Sequence, residues 1–132
     1  MGTKTALRAV QGFAIGAGLL LAPLAMAAGH APTPKECAAH PTNPAVRGGC
    51  IVINRASGNC MACHVIAGTT MDGNLGPALR NLRQRYPNKQ ALFQQLYDPT
   101  INDPHTAMPP FGRDHILTKA QIREVVDFLW TL

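Results

Sequence analysis

Cys60-Met61-Ala62-Cys63-His64 constrains this chain more than any other stretch of it. The run has C-x-x-C-H spacing, the attachment sequence of a c-type haem. The reason is geometric. Two sulfurs placed within one helical turn reach two vinyl groups of the same porphyrin and form thioethers. His64 then lies under the ring with a nitrogen for the iron. Two plainer readings compete. A structural zinc site takes four ligands, commonly from a second paired motif, and Cys37 and Cys50 do not form one. A thioredoxin-like pair follows a strand in a βαβ pattern, and no such pattern surrounds these cysteines. The run therefore predicts one haem c held covalently by Cys60 and Cys63, with His64 as an axial ligand of its iron.

The rest of the chain suits a fold built around such a group. It has 132 residues, enough for one domain. Eleven Pro and twelve Gly exclude a long-helix or coiled-coil protein and imply short helices joined by loops. No alternating strand pattern runs beyond a few residues, so the fold class is all-α. The polypeptide alone supplies a modest core, which a bound cofactor would help to fill.

Residues 1–27 read as a secretory signal peptide. Lys4 and Arg8 precede an apolar run from Ala9 to Leu24, and Ala25-Met26-Ala27 is an A-x-A cleavage site. The competing reading is a membrane anchor, but Gly12, Gly16, Gly18 and Pro23 interrupt a run barely of spanning length. Cleavage after about Ala27 leaves ten basic and seven acidic residues, a balance of +3. That bias is too weak to argue for nucleic-acid binding. Export implies a periplasmic protein with no membrane span after cleavage and with its cysteines in an oxidising compartment.

Residues 28–43 read as an extended arm, because Gly29, Pro32, Pro34 and Pro41 leave little room for a helix. The domain itself is expected over 44–132. Asn43-Pro44 is a helix entry, with Val46, Gly49, Cys50 and Ile53 at helical spacing, which predicts a helix over about 44–55. A short turn is expected near 79–85. Asn88 caps a second helix over about 89–98, with Leu92, Phe93 and Leu96 on one face. Thr118 and Gln121 have capping-box spacing, and Ile122, Val125, Val126 and Leu129 form the apolar stripe of a terminal helix. Gly48 and Gly49 are expected to let that helix approach the first one closely, opposite Phe128 or Trp130.

The sixth position on the iron has several candidates: Met61, Met71, Met108, His30, His40, His105 and His115. Met61 is inside the attachment run, and Met71 follows it in a Gly-rich loop. Met108 is followed by Pro109 and Pro110, which stiffen the loop and remove two N–H groups from a segment facing an apolar ring. Met108 is favoured on this ground, with a core methionine as the bland reading and His105 as the main rival ligand. Met/His ligation raises the reduction potential relative to two histidines. It also leaves no open coordination site, which favours electron transfer over oxygen or peroxide chemistry. The second imidazole nitrogen of His64 needs an acceptor, and Gly76-Pro77 is the candidate carbonyl source, with a plain loop turn as the alternative.

The chain resembles the class I cytochromes c. The resemblance is carried by the early helix, Cys60-Met61-Ala62-Cys63-His64, Gly76-Pro77-Ala78-Leu79, Met108-Pro109-Pro110 and the terminal amphipathic helix. It implies a small fold of three to four short helices wrapped around the haem. More narrowly, the chain is similar to the SoxX family, the mono-haem subunits of the SoxAX cytochromes of sulfur oxidation. Ile51-Val52-Ile53-Asn54-Arg55, Gly58-Asn59-Cys60, Gly73-Asn74-Leu75-Gly76-Pro77 and Met108-Pro109-Pro110-Phe111-Gly112-Arg113 carry this likeness, with Ile116-Leu117-Thr118 and Val125-Val126-Asp127-Phe128-Leu129. This narrower resemblance implies a periplasmic heterodimer with a haem-bearing SoxA-like subunit. Such a complex, an L-cysteine S-thiosulfotransferase, joins thiosulfate oxidatively to a cysteine of a SoxYZ-like carrier. The present chain would accept the electrons and pass them to a downstream acceptor. A free-standing electron-shuttle cytochrome is the alternative, and a haem peroxidase-type enzyme with an open iron site is a second one.

No residue of the chain is singled out as catalytic, because no nucleophile–base or paired-carboxylate arrangement is visible, and the isolated chain is expected to be non-catalytic. Cys37 and Cys50 remain after haem attachment and are expected to form a disulfide, unless Cys50 is a small buried thiol. Arg80, Arg83, Arg85 and Lys89 form a basic cluster. It would serve haem propionates or an acidic partner, although a solvated face is favoured. Pro109, Pro110 and Phe111 are the expected apolar anchors for a partner at the haem edge.

Overall fold

A computed structural model describes residues 1–2 and 29–132, so the expected signal peptide lies, but for its first two residues, outside the described residues. Those residues form five α-helices and no strand: α1 (Pro34–Ala38), α2 (Pro44–Ile53), α3 (Leu82–Arg85), α4 (Lys89–Tyr97) and α5 (Lys119–Leu129). Two 3₁₀ turns, Cys60–Ala62 and Pro99–Ile101, complete the set. Three full helices and two single-turn ones agree with the all-α expectation.

Local chemistry sets the boundaries. Asn43, Asn88 and Thr118 each accept a backbone N–H at the start of α2, α4 and α5, and Thr118 and Gln121 close a capping box. Helix α2 stops at Ile53 because Asn54 is extended and turns its side chain onto the N–H of Ala56 at 2.8 Å. Helix α3 begins at Leu82, since Asn81 takes a left-handed conformation.

The expected extended arm is corrected. Residues 34–38 form α1, capped by a reciprocal Thr33–Glu36 box with Pro34 at the first position. A proline there removes an N–H that a helix start leaves unpaired anyway. Glu36 is held below the usual carboxylate range, first by the backbone N–H of Thr33 and then by its hydroxyl. The arm is tied down as well. Ala31 donates to the carbonyl of Ala67 at 2.8 Å, and Cys37 is bridged to Cys50 on α2 across a Cα–Cα distance of 5.6 Å.

The core lies between α2 and α5. Ile122, Val125, Val126, Phe128 and Leu129 are buried on α5, against Val46 and Val52 on α2. Each such side chain contributes about 2 kcal/mol by leaving water. The two backbones meet at Gly48, where a Cβ would stand 1.8 Å from the carbonyl oxygen of Glu124. At Gly49 a Cβ would meet Pro32 at 2.5 Å and the Phe128 ring at 3.0 Å. The expected close approach is therefore present, with Phe128 rather than Trp130 opposite. Arg47 pairs with Glu124 at 2.7 Å along the same seam. On α4, Leu92 and Leu96 are buried, and Phe93 packs half-buried against the same core while stacking on Tyr97 at 5.8 Å under Arg123.

Candidate functional site

Cys60, Cys63, His64 and Met108 all line one cavity of about 680 Å³. Its walls are mostly apolar, with Leu79, Leu82, Leu92, Leu96, Phe111 and Leu129 among them. The size falls within the roughly 300–1,000 Å³ of cofactor pockets. A second groove of about 560 Å³, between α4 and α5, contains no cysteine, histidine or methionine.

The segment Cys60–His64 winds through a single helical turn, with the N–H groups of Cys63 and His64 both bonded to the Cys60 carbonyl at 3.2 and 3.0 Å. This places both sulfurs on one side of the turn. Both thiols are free, and burial pushes the Cys60 thiol up to about 12, against a smaller lowering by its own backbone. The loop after the turn folds back onto it. Gly73 donates to Met61 at 2.7 Å, and Gly76 donates to Cys63 at 2.8 Å.

That return places Pro77 beside His64. Nδ1 of the imidazole lies 2.7 Å from the Pro77 carbonyl oxygen, an acceptor, so Nδ1 donates and Nε2 is left with its lone pair. Gly76 packs flat on the ring, and a Cβ there would lie 2.3 Å from Cε1. The Gly76-Pro77 carbonyl expected from the sequence is thus the one in place.

Of the sixth-ligand candidates, the cavity is lined by Met108 and His105. Met108 is half-buried against the core, and His105 is exposed. Met71 is 64% exposed, Met61 packs on the core, and His30, His40 and His115 are exposed and absent from the cavity wall. The Met108 loop is closed at its base. The N–H groups of Gly112 and Arg113 bond the Tyr97 carbonyl at 3.1 and 3.0 Å, and Arg113 reaches Asp98 at 2.9 Å.

Residues 53–132 match the family model described as cytochrome c. The chain belongs to the cytochrome c family. Its helical structure is that of a small class I cytochrome c. Family membership implies one covalently attached haem c and a role in electron transfer. The fit of these residues to that group is direct: two free thiols and an imidazole with an unengaged Nε2 face an apolar cavity of suitable size. The chain is also similar to an uncharacterized lipoprotein of Aquifex aeolicus (strain VF5), 32% identical over 77 residues. The match takes in 54% of this chain and 35% of that protein, so the cytochrome spans about a third of its relative's length.

The basic cluster does not act as a unit. Lys89 pairs with Asp127 at 2.7 Å, Arg83 donates to the Trp130 carbonyl at 2.6 Å, and Arg85 lines the cavity. Arg55 joins Arg85 on the cavity wall. Sequence reading missed it because nothing in the spacing distinguishes an arginine five residues before Cys60 from a solvated one. Of the three expected partner anchors, Pro109 is exposed on the cavity rim and Pro110 is half-buried, but Phe111 needs correction. Phe111 is only 7% exposed and belongs to the core. Leu75, at 72%, and Ile116, at 46%, are the large exposed apolar side chains that join Pro109 on the rim.

Proposed function

We propose that this cytochrome c is exported to the periplasm and passes single electrons with His64 and Met108 as the two axial ligands. Cys60 and Cys63 would hold the haem by thioethers, and Arg55 and Arg85 would face its propionates. The observation that carries the ligand assignment is the polarity of His64. Nδ1 is committed to Pro77, so Nε2 is the basic nitrogen of that ring, while Met108 is the half-buried candidate on the same cavity. With both axial positions filled by protein, substrate has no place on the iron. The oxidised protein should show the weak red charge-transfer band of methionine ligation, and Met108→Ala should abolish it. Survival of the band would return the assignment to Met71 or a histidine.

We further propose that the chain is the SoxX-like subunit of a thiosulfate-oxidising complex. Its partner would be a haem-bearing SoxA-like subunit, and a SoxYZ-like carrier would be met transiently. The reading is supported by the segments around Cys60, Gly76 and Met108 quoted above, and the exposed Leu75 and Ile116 beside the cavity offer the partner an apolar rim. Export is supported by the N-terminal sequence and by the likeness to a lipoprotein. Thiosulfate turnover with the carrier is the test. The isolated chain should be inactive and should support activity only with the second haem subunit. Activity from the chain alone, with carbon monoxide binding to the reduced iron, would favour the peroxidase-type alternative. A chain that binds no SoxA-like subunit would be a free-standing shuttle.

A further inference from the structure

Met108 is reached by a two-step polar chain that starts at the surface. Nδ2 of Asn102 donates to Oε1 of Gln95 at 2.7 Å, and Nε2 of Gln95 donates to Sδ of Met108 at 3.8 Å. Gln95 sits half-buried on α4 and lines the cavity, whereas Asn102 is exposed just after the Pro99–Ile101 turn. A carboxamide has one accepting end and one donating end, while a thioether only accepts. Engaging Oε1 from outside therefore commits the amino end of Gln95 to the sulfur.

We propose that Asn102 sets the polarity of the Gln95 amide and that Gln95 thereby positions and electronically tunes Met108. The inference rests on Met108 being the axial ligand. A donor at one sulfur lone pair leaves the other for the iron. It also draws electron density from the sulfur, which weakens its support of the oxidised state and raises the reduction potential. The role is separable from loop folding. The Met108 backbone N–H is held by Thr106 at 3.2 Å, and the loop base is closed by Tyr97 and the Asp98–Arg113 pair. Gln95 reaches the Met108 loop through the sulfur, and its other polar contact is the one to Asn102.

The test uses the purified holoprotein and four variants: Gln95→Leu, Asn102→Asp, their combination, and Met108→Ala. Gln95→Leu keeps the volume and removes the donor. It should lower the reduction potential and shift or weaken the charge-transfer band, while haem content and the thermal midpoint stay near wild type. In Asn102→Asp the new carboxylate only accepts, so it recruits the amino end of Gln95 and turns Oε1 toward the sulfur. The potential should fall again. The added charge lowers the potential by itself, so the double variant decides. With Leu at position 95 only the charge effect remains, and Asn102→Asp should then produce a smaller drop than it does with Gln95 present. Equal drops in the two backgrounds would overturn the amide relay. An unchanged potential and band in Gln95→Leu would overturn the sulfur contact. Loss of the band in Met108→Ala alongside either result leaves the ligand assignment standing and defeats only this inference. A band that survives Met108→Ala defeats the assignment itself.

Discussion

His64 donates from Nδ1 to the carbonyl of Pro77 across 2.7 Å, and the residue before that proline has no side chain to push the ring away. The imidazole is therefore fixed in tautomer, tilt and distance by three consecutive features: the Cys60 turn, the flat face of Gly76 and the Pro77 carbonyl. A ring set in this way needs no reorganisation when it takes a metal on Nε2.

Gly76→Ala tests that arrangement. The new Cβ would fall 2.3 Å from Cε1 and 2.6 Å from Nδ1 of a rigid ring, so either the loop or His64 must move. Overpacking of this kind costs about 1–3 kcal/mol. The holoprotein should melt earlier and have an altered potential. A variant with wild-type midpoint and potential would show that the loop gives way freely.

Gly48→Ala should act on the fold and not on the site. Its Cβ would meet backbone atoms of Glu124 and Val125, which cannot rotate away. Relieving the clash means separating α2 from α5, with an expected loss of roughly 3 kcal/mol in denaturant unfolding. The charge-transfer band of the folded fraction should be unchanged.

What the sequence revealed and what it hid follow one division. Features that act over three or four residues were legible: the caps at Asn43, Asn88 and Thr118, the attachment turn, and the stripe on α5. Helix α1 was legible in principle. Thr33 and Glu36 have the same spacing as Thr118 and Gln121, and the prolines around them mask the signal by resembling helix breakers, although Pro34 occupies the first helical position, where proline is tolerated. The Gln95–Asn102 contact, the Arg113–Asp98 clamp and the cavity position of Arg55 depend on how distant segments pack, and no local pattern encodes them. Phe111 was misplaced for the same reason: its burial is decided by what covers it.

Removing the Cys37–Cys50 bridge should loosen the arm and leave the redox centre intact. The bridge links α1 to α2 across 13 positions of sequence. Closing such a loop contributes about 3 kcal/mol by the chain-entropy estimate. The double substitution Cys37→Ser/Cys50→Ser should lower unfolding stability by up to that amount, with haem content and visible spectrum preserved. Mass spectrometry without reductant should find the two peptides linked in the wild type. Two alkylatable thiols in the native protein would refute the bridge.

The Asp98–Arg113 clamp predicts a specific response to acid. Asp98 is held below the usual carboxylate range, first by the Thr100 hydroxyl, and with help from the Thr100 N–H and the Arg113 guanidinium. A carboxylate whose folded value is depressed stabilises the protein at pH above its unfolded value. That contribution is lost as pH falls through the ordinary carboxylate range toward the depressed one. Asp98 begins the turn that leads into the Met108 loop and Arg113 ends that loop, so the loss should loosen Met108. Asp98→Asn keeps a side-chain oxygen to cap Thr100 but removes the charge. At neutral pH this variant should melt below wild type and show a weaker methionine band on warming. As the pH is lowered past the carboxylate range, wild-type Asp98 becomes protonated and the two proteins should converge. Thermal melts across that range, followed at the charge-transfer band, measure the gap directly. A gap that stays constant with pH would mean that the ion pair does not brace the loop.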